Sequence, residues 1–108
     1  MINQDELELT TYKQQPLRTS SELVQALDEG VAKTREALAN TTDEHLMTSW
    51  RLKVGGKVVS EQPRHIAIRD AVFNHLAHHR GQLTVYLRLN DVPVPAIYGP
   101  SADDGRFA

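Results

Sequence analysis

The clearest periodic signal in the first half of the chain is Leu23, Val24, Leu27, Val31 and Leu38, which fall on one helical stripe when each residue turns about 100°. Glu22, Asp28, Lys33 and Glu36 decorate the remainder, so the spacing predicts an amphipathic helix of about 20 residues from Ser20 to about Asn40. Thr19-Ser20-Ser21-Glu22 fits a capping box, in which a hydroxyl accepts from the first exposed amides and the glutamate reaches back. Asn40-Thr41-Thr42-Asp43 reads as a stop followed by a new cap, opening a short helical turn through Leu46 and Met47. Upstream, Met1 to Pro16 alternates only weakly at Leu7, Leu9 and Tyr12, which predicts an extended or mobile lead-in rather than a packed element.

The pattern then changes period. Trp50, Leu52 and Val54 alternate with charged residues ahead of Gly55-Gly56, and two glycines between such runs supply the positive φ angles of a tight hairpin turn. Gly55-Gly56-Lys57 lacks the spacing of a phosphate-binding loop, so the turn is its reading. Pro63 suits the first turn of a second, longer helix running to about Leu89, with no further proline and one glycine, Gly81. Ile68, Val72, His75, His79, Leu83 and Tyr86 form a stripe roughly 80° wide, placing two histidines in the middle of the expected buried face. Gly81 costs about 1 kcal/mol in a helix interior relative to alanine, which implies that a neighbouring backbone passes close to it. The prolines at 93 and 95 end the helix. The apolar tail from Ala96 to Asp104 is expected to pack back on the helices, and only the last few residues read as disordered.

Composition narrows the chemistry. With 108 residues, one domain is expected. The net charge of −2 excludes the dense positive field that holds phosphate backbones. The long helix spreads Arg64, Arg69, Arg80 and Arg88 around its polar side, so a DNA-reading helix-turn-helix fails as well and no nucleic-acid partner is expected. No apolar stretch approaches the roughly 20 residues that cross a bilayer, and the acidic, polar start is unlike a secretory signal, so no membrane partner and a cytoplasmic location are expected. With no cysteine, any metal must be held by nitrogen and oxygen ligands.

His75 and His79 are four apart, so on a helix their imidazoles share a face about 6 Å apart and can chelate one divalent cation. His78 points about 100° away from His79, and His65 lies roughly 15 Å along the helix from His75. His45, outside the long helix, is geometrically free.

Asn74-His75-Leu76-Ala77-His78-His79-Arg80-Gly81-Gln82-Leu83, Val85-Tyr86-Leu87-Arg88 and Val92-Pro93-Val94-Pro95-Ala96-Ile97-Tyr98-Gly99-Pro100-Ser101-Ala102-Asp103 closely resemble the C-terminal half of the DinB family of damage-inducible, metal-dependent four-helix bundles. The resemblance is dense from Asn74 to Asp103 and extends more weakly to the Ser20 helix. It implies an all-α domain of the four-helix-bundle type, with His75 and His79 as two of three imidazole ligands to Zn²⁺, Ni²⁺ or Fe²⁺. It further implies a third ligand from a histidine on the bundle's second helix, upstream of Ser20, where this chain has none.

Residues 1–108 are therefore expected to form a single, N-terminally incomplete domain: a helix pair, packed antiparallel, with a small β-hairpin. Two amphipathic helices cannot cover both of their apolar stripes, so the bundle is expected to be completed by dimerisation. A bound cation would complete its shell with water, with His45, or with the His75 and His79 of a partner chain. Family resemblance implies a metal-dependent hydrolase or thiol-dependent transferase acting on a small molecule. Tyr86, about two turns beyond His79 on the same face, is a candidate to support a ligand or donate a proton, though a core tyrosine is the commoner role for such a position. The competing reading is a non-catalytic half-bundle that serves as a dimerisation module.

Overall fold

A computed structural model describes residues 1–14 and 16–104, and the chain divides into two compact units, Met1–Arg69 and Asp70–Ala108. The disorder expected of the last few residues lies outside the described residues.

The first unit is organised by a sheet. Strands β2 (Ser49–Val54) and β3 (Lys57–Pro63) form the expected antiparallel hairpin, turning at Gly55 and Gly56. Their φ angles of +58° and +77° match the left-handed pair that a two-residue turn requires. The register slips between Leu52, opposite Ser60, and Lys53, opposite Val58, so Val59 is the extra residue of a bulge. Strand β1 (Glu6–Glu8) then adds to the other side of β2 in parallel, with Glu6 opposite Arg51 and Glu8 opposite Lys53. The sheet order is β1-β2-β3.

This sheet overturns the all-α expectation: the fold is mixed, with helices and a three-stranded mixed sheet. The lead-in reading of the N-terminus falls with it. Three residues are too few to show a period of two, and what recruits them is the free edge of β2 some 45 positions later. Arg51 N–H donates to the Asp5 carbonyl and Leu9 N–H to the Lys53 carbonyl, closing the two ends of the pairing.

Arg64 fixes the same segment from below. Its side chain is 2% exposed, and its guanidinium donates to the Met1 carbonyl at 2.6 Å, the Gln4 carbonyl at 2.7 Å, the Thr48 hydroxyl at 2.9 Å and the Asp5 carboxylate. Only Arg carries enough donors in a rigid fork to satisfy four acceptors from two chain segments, residues 1–5 and Thr48. Among the described residues, Trp50 and Ala67 are the buried apolar ones.

Helix α1 (Ser20–Ala39) begins as the sequence predicts: Thr19 Oγ1 accepts from the Glu22 amide at 3.2 Å, and the Glu22 carboxylate accepts from the Thr19 amide at 2.9 Å. Its apolar stripe is open to solvent, with Leu27 64% exposed. A short helix α2 (Asp43–Leu46), capped by Thr42, leads into β2.

The long helix is helical throughout but not uniformly α. Helix α3 (Arg64–Ile68) passes into a π-helical segment, Arg69–Asn74, and then into α4 (His75–Leu89). The i→i+5 pattern of a π turn inserts a residue relative to α-helix, so the 100° count that aligned Ile68 with His75 does not carry across it. Helix α4 stops before the prolines. Val92 N–H returns to the Leu87 carbonyl and Asp91 N–H to the Arg88 carbonyl, a Schellman closure with Asp91 at φ +53°. The tail folds back through polar contacts: Asp103 accepts from Arg88 at 2.6 Å and from the Val94 amide at 2.8 Å. A Cβ added at Gly81 would meet nothing within 4 Å, so among the described residues no backbone crosses there.

Candidate metal centre

The site is built on the first two turns of α4, directly after the π segment, a kind of irregularity that is frequent at functional sites. The i, i+4 spacing brings His75 and His79 together as the sequence predicts. Their Nε2 atoms are 2.7 Å apart and their ring centroids 4.4 Å. Both residues are exposed, which corrects the expectation that they lie on a buried face: the stripe is apolar, but in the chain it is open.

Gln82, three residues on, supplies what sequence reasoning missed. Its Oε1 lies 2.9 Å from His79 Nδ1, and an amide oxygen can only accept, so the proton sits on Nδ1 and the His79 Nε2 lone pair is presented toward His75. The signal was in the sequence, since i and i+3 face each other on a helix and a metal-ligating histidine usually donates its other ring N–H to an acceptor.

The pair fits a divalent ion as two ligands. A metal–nitrogen bond of about 2.0–2.1 Å in a tetrahedral shell sets two neighbouring nitrogens roughly 3.3 Å apart, so the observed 2.7 Å needs to open by about half an ångström. Among the described residues no group of three or more His, Cys, Asp or Glu side chains gathers to hold a metal. His78 stacks edge-on against His79, at 5.2 Å between centroids, without joining the pair. His45 is occupied elsewhere, with Nε2 2.8 Å from the Ile2 carbonyl, and His65 Nδ1 lies 3.2 Å from the Leu46 carbonyl. Tyr86 is 64% exposed on the histidine face of α4.

A surface concavity of about 670 Å³ lies along β1 in the first unit and is rich in carboxylates, but those are committed to structure. Asp5 pairs with Arg64, Glu6 with Arg51 and Lys53, and Glu8 with the hairpin turn.

A family model described as the DinB family matches residues 1–106. The uncharacterized protein YrdA of Bacillus subtilis (strain 168) is 29% identical over 77 residues, covering 68% of this chain and 46% of its own length. The chain thus spans about half the length of that curated relative. No solved structure matches the chain.

Proposed function

This chain belongs to the DinB family, and from that premise we propose that it is a divalent-metal-binding protein whose ligands are His75 and His79. The observation that carries the reading is the convergence of the two Nε2 atoms to 2.7 Å, with Gln82 holding the proton on the far nitrogen of His79. Zn²⁺, Ni²⁺ and Fe²⁺ all suit imidazole donors. Such an ion, held by few protein ligands, polarises water or a thiol, which is the chemistry of a hydrolase or thiol-dependent transferase on a small-molecule substrate. The chain's own part is to present two imidazole nitrogens on a rigid helical turn and to fix the tautomer of His79. A damage- or stress-linked role accords with the family.

Thermal unfolding with and without Zn(II) or Ni(II) tests this. A metal held only by the folded state raises the melting temperature by several degrees at concentrations well above Kd. His75→Ala and His79→Ala should abolish that gain, His78→Ala should leave it nearly unchanged, and Gln82→Ala should weaken metal affinity about 10- to 100-fold. If metal leaves the unmutated protein's melting temperature where it was, the reading fails. The second reading, a non-catalytic assembly module, then gains, supported by the open apolar stripe of α1.

A further inference from the structure

The sheet of the first unit has two outer edges, and they differ. The edge of β3 is interrupted by the bulge at Val59, a device that discourages further pairing. The edge of β1 carries no bulge. Arg51 N–H bonds the Asp5 carbonyl and Leu9 N–H bonds the Lys53 carbonyl, so Asp5, Leu7 and Leu9 turn their backbone groups toward β2. Backbone groups alternate in direction along a strand, which turns the N–H and C=O of Glu6 and the N–H of Glu8 outward. Among the described residues no hydrogen bond takes these groups. The Glu8 C=O, also outward, accepts from the Thr11 hydroxyl at 3.2 Å.

The concavity of about 670 Å³ lies on this edge. It is lined by residues 4–8 without a gap, by residues 11–13 and by Arg51. Side chains of a strand alternate between its two faces, so a hollow that touches consecutive residues runs beside the backbone rather than across one face. The chain turns at Leu9, whose carbonyl accepts from the Tyr12 amide at 3.2 Å, and returns to wall the same hollow. With Asp5, Glu6, Glu8 and Arg51 all paired, Lys13 is the charged side chain of this wall that has no partner among the described residues, and Tyr12 beside it is 61% exposed.

We infer that this slot takes an extended peptide segment as a fourth strand on β1, with an acidic side chain of that segment against Lys13. A residue opposite Glu6 exchanges two backbone hydrogen bonds with it, and the Glu8 N–H supplies a third within about 10 Å of strand. Main-chain pairing gives the affinity, and Lys13 and Tyr12 select the side chains. A second copy of β1 does not suit the slot, because Glu-Leu-Glu laid against itself sets like charges together. The inference is independent of the histidine pair, which belongs to the other unit.

Amide NMR of the full nitrogen-15-labelled chain, titrated to several millimolar with the peptide acetyl-Thr-Val-Glu-Val-Thr-amide, tests it. Shifts should centre on residues 4–13 and Arg51, and the Glu6 and Glu8 amides should exchange with solvent several-fold more slowly. Lys13→Glu should weaken this peptide about threefold or more and strengthen one with Lys in place of its central Glu. Of two forms of the peptide N-methylated at alternate residues, one should keep its binding and the other lose it, because one edge of an added strand faces β1. No shift with the Glu peptide, shifts centred elsewhere, or equal binding of the two methylated forms would overturn the added strand. A Lys13→Glu chain that binds both charged peptides as the unmutated chain does would overturn the acidic specificity.

Discussion

Glu8 shows how far one carboxylate can be committed to structure. It accepts from the Thr10 hydroxyl at 2.6 Å, the Thr10 amide at 3.0 Å, and the Gly55 and Gly56 amides at 3.0 and 2.8 Å. Led by the Thr10 hydroxyl, these donors hold its pKa down to about 2 from an ordinary 4.5. A depressed folded-state pKa stabilises the fold above the unfolded value, so this contribution is complete above pH 4.5 and is lost as pH falls toward 2. Glu8→Gln should flatten that stretch of the melting temperature against pH. A carboxyl-carbon titration by NMR should show a midpoint near 2, and one near 4.5 would mean that the turn contacts do not persist. Glu8 was not legible as a cap on the hairpin turn from the sequence, because Gly55 and Gly56 lie 47 and 48 residues away. His75 and His79 were legible, because helical spacing alone brings them together. Gln82 was within reach of the same arithmetic. The exposure of the pair was not, since a stripe of apolar residues says which face seeks a partner and not whether the chain supplies one.

At the scale of elements, what could be read in advance was local. The capping box at Thr19, the second cap at Thr42 and the Gly55-Gly56 turn depend on residues within four positions of one another, and each formed where the pattern put it. Strand β1 depends on a distant edge, and the π segment depends on backbone pairing that no side-chain periodicity marks, so both were missed. Helix α4 carries two residues at odds with their backbone. Gly81 sits in a helix interior with open space at its missing Cβ, and Asp91 holds a φ of +53° that suits glycine. Exchanging them in kind should help in both cases: Gly81→Ala and Asp91→Gly should each stabilise α4 by about 1 kcal/mol, read from thermal melts by circular dichroism. A destabilising Gly81→Ala would show that something does approach that position.

For the molecule as a whole, the fold is mixed, with a three-stranded sheet where an all-α bundle type with only a small β-hairpin was expected, and among the described residues no helix is long and apolar enough to cross a membrane. Among the described residues the buried set is small, Trp50, Ala67 and Arg64, while large apolar side chains stand open along α1 and α4. Composition could not foresee that balance, because 40% apolar content fixes how much there is to bury and not what will bury it. The parallel pairing of β1 with β2 also has a consequence in time. The β2–β3 hairpin closes across two residues, a microsecond event, whereas β1 must close a loop of more than 40 residues and then wait for Arg64 to clasp it. The N-terminal clasp should therefore form after the rate-limiting barrier of the first unit. Arg64→Lys, which removes the fork but keeps the charge, should speed unfolding about tenfold or more while changing the folding rate less than twofold, as stopped-flow denaturant jumps can read. Equal effects on both rates would place the clasp in the folding nucleus instead, with the chain's first residues gathered before its hairpin is complete.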